Sequence, residues 1–230
     1  SKAFGKIPEG YLDITINETG NQQDILYPAN PGSIYHMTKC LDQLMFQFYH
    51  KNWGIPITDL HQGIVWGVST NETELHEGLV NRFDYDAVYG TVLNRFLVQA
   101  VHGYPLTVYG TGGQTRAFIH ISDTVKCVRM AMENPPEENR VRIFNQVAET
   151  QSVLDLAMMV SERYSVPVQQ VPNPRKEAES NDLEVSNEGL KSLGFNPVLL
   201  KNKLMDDVVY LAKQGKDFFR KENVLNSPKW

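Results

Sequence analysis

Ser33-Ile34-Tyr35-His36-Met37-Thr38-Lys39-Cys40-Leu41-Asp42-Gln43-Leu44-Met45-Phe46-Gln47-Phe48, running on through Trp53-Gly54 to the apolar stretch Ile55–Gly67, decides the fold. Met37, Leu41, Leu44, Met45 and Phe48 recur at three- and four-residue steps, the period of an amphipathic helix. Pro31-Gly32-Ser33 supplies a turn and an N-cap at its start, and Gly54 ends it. Ile55–Gly67 is rich in Ile, Val and Trp and predicts a buried strand. A helix feeding a strand is the repeating half of a doubly wound α/β sheet.

Further along, Val68–Arg82 is polar and predicts an excursion over a strand end, where open α/β sheets bind ligands. A second helix is expected from Thr91 to Val101, closing at Gly103, then a short strand over Pro105–Tyr109. The Gly110-Thr111-Gly112-Gly113 turn leads into an alternating run over Arg116–Ile121 and a helix capped by Ser122 that reaches the Pro135-Pro136 break. A strand over Val141–Val147 and a helix over Ser152–Tyr164 follow, then a loop around Pro172–Pro174 and short helices near 187–193 and 201–214. Ser1–Gly10 shows no evident first strand, and no internal repeat is present.

Composition narrows the function classes. At 41% hydrophobic and 21% charged the chain is ordinary globular material, which excludes disorder, collagen and coiled coil. With 22 Lys+Arg against 27 Asp+Glu the formal charge is −5, and no basic run exists to track a phosphate backbone, so nucleic acid is not an expected ligand. No run approaches the ~18 apolar residues of a membrane span, and no signal pattern opens the chain. Cys40 and Cys127 lie far apart with no metal-ligand spacing, which predicts buried free thiols in a reducing compartment and no metal site.

The chemistry concentrates in Tyr35-His36-Met37-Thr38-Lys39. On a helix a Tyr and a Lys four apart share a face, about 6 Å apart along the axis. A phenol of pKa ~10 is a poor base at neutral pH, but a neighbouring ammonium favours the phenolate and makes acid/base catalysis feasible. The same spacing also arises by chance from a half-buried Tyr and a solvated Lys. His61 and His120, both in strand-like runs, read as satisfied structural side chains. The Gly110–Gly113 cluster lacks the strand-turn-helix setting of a dinucleotide loop and reads as a tight turn.

Three ordered motifs together carry a resemblance: Tyr35–Lys39, the strand end Asp59-Leu60-His61-Gln62-Gly63-Ile64-Val65-Trp66-Gly67, and Gly110-Thr111-Gly112-Gly113-Gln114-Thr115-Arg116-Ala117-Phe118-Ile119-His120. They resemble the extended short-chain dehydrogenases of the NAD-dependent epimerase/dehydratase family, which modify nucleotide sugars. Arg82–Thr91 and Pro172-Asn173-Pro174-Arg175-Lys176-Glu177-Ala178-Glu179 are similar to the branch of that family that builds a sulfonated UDP-sugar for sulfolipid, and the likeness covers nearly the whole chain.

The resemblance implies the carboxy-terminal part of a Rossmann-type doubly wound parallel sheet beside a smaller mixed α/β substrate domain. Residues 1–67 and 119–150 would belong to the NAD-binding part, and 68–118 and 151–230 to the UDP-sugar part. It implies NAD as cofactor and UDP-glucose and sulfite as substrates, through a 4-keto-5-ene intermediate. Tyr35 would be the base at the carbon 4 hydroxyl, Lys39 would hold the nicotinamide ribose, and His36 would transfer a proton or place sulfite. Tyr35, Lys39, Gln62 and Val65 would touch the cofactor. Arg116 and Arg175 would grip the diphosphate, with Gln114, Asn94 and Arg95 also at the UDP, Glu177 or Glu179 at ribose hydroxyls and Arg82 near sulfite.

Many relatives carry Arg and Asn in the strand end where this chain has His61 and Ile64, a departure that favours the sulfosugar branch over the generic epimerases. A UDP-sugar 4-epimerase or 4,6-dehydratase is the alternative enzyme. A non-catalytic nucleotide-binding subunit is the alternative of another class, although such proteins usually lose the Tyr or Lys. No glycine-rich phosphate loop precedes Tyr35, so the chain is expected to be a fragment that binds NAD poorly and is inactive alone. A homodimer is expected, in plastid stroma for a plant or alga and in cytoplasm otherwise.

Overall fold

Local encoding and long-range pairing meet at the helix α1 (Ile34–Trp53). The computed structural model describes residues 6–15, 20, 22–79, 83–86, 90–136, 139–173, 179–181, 183–204 and 206. Ser33 caps α1 as expected, its hydroxyl accepting from the His36 N–H at 3.1 Å, and Gly54 closes it at φ +64°, a left-handed conformation that glycine adopts without strain. The face of α1 that meets the rest of the chain differs from the expected one. Cys40, Gln43, Phe46, Gln47 and His50, at three- and four-residue steps, are half-buried. Met37, Leu41, Leu44, Met45 and Phe48 are instead 45–57% exposed.

A hairpin of β1 (Tyr11–Thr15) and β2 (Gln22–Leu26) precedes α1, with Tyr11 opposite Leu26 and Thr15 opposite Gln22. Its sequence carries little signal because β2 is almost wholly exposed, and alternation is legible only where one face is buried. Gln47 of α1 donates to the Tyr11 hydroxyl at 2.9 Å, which itself donates to the Val141 carbonyl.

The expected single strand over Ile55–Gly67 is two strands. β3 (Thr58–Gln62) and β4 (Ile64–Trp66) part at Gly63 because they take different partners. Next come α2 (Val92–Val101), capped by Thr91, β5 (Leu106–Tyr109), β6 (Gly113–His120), α3 (Ile121–Glu133) and β7 (Arg142–Gln146). After β8 (Glu149–Ser152) the chain continues as α4 (Val153–Tyr164), β9 (Val168–Val171), β10 (Ser180–Asn181) and α5 (Glu188–Ser192). Most of the helix expected over 201–214 lies outside the described residues. β3 runs parallel to β7, β4 and β10 parallel to β6, and β5 parallel to β9, while β8 is antiparallel to β6. Ser122 is not the cap of α3: buried His120 is, accepting from the Ser122 N–H at 3.1 Å through Nδ1, with its ring edge-on to Trp66 at 4.6 Å.

Side chains on both faces of the β4–β6 pair are buried. Trp66 and Phe118 join Leu93, Phe96, Leu106, Leu156 and Val160 under α2 and α4. Val65 and Ile119 point the other way, to Cys127 of α3 with Phe144, Leu190 and Phe195. Helices on both faces of a largely parallel sheet make this a doubly wound α/β arrangement. Buried Asp123 ties α3 to the later chain, accepting from the Val198 N–H at 2.5 Å while its other oxygen pairs with Lys126 at 2.8 Å.

Candidate functional site

The first turns of α1 present Tyr35, His36 and Lys39 to solvent. Helical geometry puts Tyr35 and Lys39 on one face, and Lys39 Nζ stands 5.7 Å from the centre of the Tyr35 ring. That ammonium also pairs with Asp42 Oδ2 at 3.3 Å, so the cation is held beside the phenol by its own helix. Tyr35 is 74% exposed, which leaves its hydroxyl accessible to a ligand.

Gln62 stands exposed at the carboxyl end of β3, the end at which open α/β sheets bind ligands. Its amide donates to Gln146 Oε1 at 3.3 Å, and Gln146, 2% exposed, donates in turn to the Thr124 carbonyl at 3.4 Å. Val65 is half-buried against the Cys127–Phe144 core. One strand position from Gln62, His61 Nε2 lies 3.1 Å from Asp59 Oδ2 and 3.4 Å from Gln43 Nε2, which joins β3 to α1.

The remaining candidates sit on β6, α2 and their turns. Gln114 is buried opposite Asn181 of β10, whose side-chain oxygen accepts from the Thr115 N–H at 2.9 Å. Arg116 is half-buried, faces Gln151 across β8 and donates to the Thr115 carbonyl at 3.1 Å. The Gly110–Gly113 segment is a tight turn, with Gly110 at φ +61° and Gly112 at φ +74°. A Cβ on Gly112 would stand 2.6 Å from Val108 Cγ1. Asn94 donates to the Asp84 carbonyl at 2.8 Å. Arg95 is 7% exposed, donates to the Thr107 carbonyl at 2.9 Å and stacks over Tyr109 at 4.4 Å, packing α2 onto β5. Glu179 is exposed, and its carbonyl accepts from the Thr111 hydroxyl at 3.0 Å. Arg82, Arg175 and Glu177 lie outside the described residues.

Gln146 is the residue that reading the sequence missed; it carries no motif and gains meaning only from its register opposite Gln62. Burial pushes the Cys127 thiol up to about 12, with nearby Asp123 adding to the effect, so the thiol is inert at neutral pH. A cavity of about 410 Å³ lined by Glu9, Tyr11, Arg140, Arg142 and Phe144 contains none of the candidate residues. Among the described residues no group of three His, Cys, Asp or Glu could hold a metal ion.

The amine beside the Tyr35 ring lies on α1 and the Gln62 amide at the carboxyl end of parallel strand β3, within a doubly wound α/β arrangement. Residues 13–145 match the model of the NAD dependent epimerase/dehydratase family, and the chain belongs to that family. It is 47% identical over 229 residues to the chloroplastic UDP-sulfoquinovose synthase of Spinacia oleracea, covering 97% of this chain and 47% of that one. To the UDP-sulfoquinovose synthase of Sulfolobus acidocaldarius it is 39% identical over 213 residues, covering 90% and 53%. The chain thus spans about half the length of these curated relatives. Among solved structures, the UDP-glucuronic acid 4-epimerase of Bacillus cereus, in complex with UDP-glucuronic acid and NAD, superposes with a TM-score of 0.62 at 25% identity, covering 82% of this chain and 55% of that one.

Proposed function

We propose that this chain carries the acid/base and sugar-handling half of a UDP-sulfoquinovose synthase, which converts UDP-glucose and sulfite to UDP-sulfoquinovose. The observation that carries the reading is the Lys39 ammonium held beside the exposed Tyr35 phenol on α1. The similarity to the spinach and Sulfolobus enzymes supports the choice of substrates.

The residues fit the nicotinamide end of NAD: Tyr35 and Lys39 form an open donor pair, and Gln62 stands exposed at the strand end. No glycine-rich phosphate loop precedes Tyr35 in this sequence, so the reading assigns this chain the ribose and nicotinamide contacts. When bound, NAD supplies reversible two-electron oxidation at carbon 4 of the sugar. Tyr35 takes the carbon 4 hydroxyl proton, and Lys39 hydrogen-bonds the ribose. A ketone at carbon 4 acidifies the carbon 5 proton. Loss of that proton and the carbon 6 hydroxyl, as water, leaves an alkene that sulfite attacks at carbon 6. His36, roughly 100° around the helix from Tyr35, serves proton transfer or sulfite placement. Arg116 and Arg175 bind diphosphate through their planar forks, Gln114, Asn94 and Arg95 lie at the UDP, Glu177 or Glu179 at its ribose and Arg82 near sulfite.

The same reading divides the chain into an NAD part, 1–67 with 119–150, and a sugar part, 68–118 with 151–230. It includes a homodimer, and plastid stroma in a plant or alga or cytoplasm elsewhere. It also holds that the 230 residues alone bind NAD poorly and do not turn over. Incubating the complete natural protein that carries this sequence with UDP-glucose, NAD and sulfite, and weighing the product, tests the activity. A product heavier by one SO₂ equivalent is expected. An isomer of unchanged mass would make the protein an epimerase, and loss of one water a dehydratase.

A further inference from the structure

The chain Gln62–Gln146–Thr124 has a direction, and that direction bears on what Gln62 can offer a ligand. A peptide carbonyl only accepts, so the Thr124 oxygen 3.4 Å from Gln146 requires the Gln146 amide nitrogen on that side. Gln146 Oε1 then faces Gln62, which must turn its own NH₂ inward to donate at 3.3 Å. Gln62 Oε1 is left outward, an acceptor at the open carboxyl end of β3. The backbone fixes the same point: Gln62 is in register with Gln146, and the Gly63 N–H donates to the Gln146 carbonyl at 3.0 Å. Gln146 is 2% exposed and takes no ligand itself.

We infer that Gln146 is a positioning residue that sets the polarity of Gln62, so that Gln62 meets a ligand as an acceptor for an amide N–H such as the carboxamide of nicotinamide. This rests on the reading above, in which Gln62 lies at the nicotinamide end of NAD.

NAD titration followed by protein fluorescence, on the complete natural protein carrying this sequence, tests the inference. Gln62→Ala and Gln146→Leu should each weaken NAD binding about three- to tenfold, the worth of one hydrogen bond. The double variant should be no weaker than either single one, since both remove the same contact. Gln146→Glu supplies the conservative rescue. A carboxyl group at this position, protonated or ionised, still accepts from the Gln62 amide, so binding should stay close to that of the unsubstituted protein where Gln146→Leu loses it. The inference is overturned if Gln62→Ala weakens binding while Gln146→Leu does not, if the two losses multiply, or if Gln62→Ala has no effect. Absence of NAD binding by the unsubstituted protein overturns the functional reading and this inference together.

Discussion

The Lys39 ammonium stands 5.7 Å from the centre of the exposed Tyr35 ring, one helical turn away. In the complete natural protein, Tyr35→Phe should lower kcat by about 10²- to 10⁴-fold, the usual worth of a positioned acid/base group. A variant retaining more than a tenth of the turnover would remove Tyr35 from the chemistry. Cys127 is a second position whose protonation can be tested. Its folded pKa, about 12, lies above the ordinary 9.0, so between those values the unfolded chain releases a proton that the folded chain keeps. Stability should therefore fall as pH rises from 9 toward 12, and Cys127→Ala should flatten that part of a denaturation-midpoint profile. An equally steep profile in the variant would assign the loss to other groups. Tyr35 and Lys39 were legible because four-residue spacing is a local property. Gln146 was not, since its partner lies 84 positions away.

Elements form locally but are ended and joined by particular contacts. Ser33→Ala removes the hydroxyl that accepts from the His36 N–H and should cost about 1 kcal/mol of stability, measured by urea denaturation. The boundary at Gly63 is of another kind. A Cβ there would stand 3.0 Å from the Ala117 carbonyl oxygen, a backbone atom that cannot swing aside. Gly63→Ala should therefore lower the denaturation midpoint by pushing β3 and β4 away from their partners, whereas an unchanged midpoint would show that the crossing has room. The sequence shows an apolar run over this stretch but not its division, because β4 pairs with β6 while β3 pairs with β7. For the same reason His120 displaced Ser122 as the cap of α3: a buried ring packed on Trp66 already points at the helix start.

Across the whole molecule, one sheet with buried residues on both faces coexists with an uncovered helix. Leu41, Leu44 and Phe48 of α1 are 51–57% exposed, an apolar stripe larger than scattered surface residues account for. The 230-residue chain should bind an apolar dye such as ANS, and Leu44→Glu with Phe48→Glu should remove most of that fluorescence without loss of far-UV helical signal. Unchanged dye binding would mean that the stripe is covered in solution. The span of α1, its caps at Ser33 and Gly54, and the Tyr35–Lys39 face could be read from local residues, because each depends on positions within a turn or two of one another. That Gln62 meets Gln146, that β3 and β4 part company, and which side of α1 packs inward emerged only from the folded chain. Those outcomes depend on strand register and packing between distant segments, which no local period encodes.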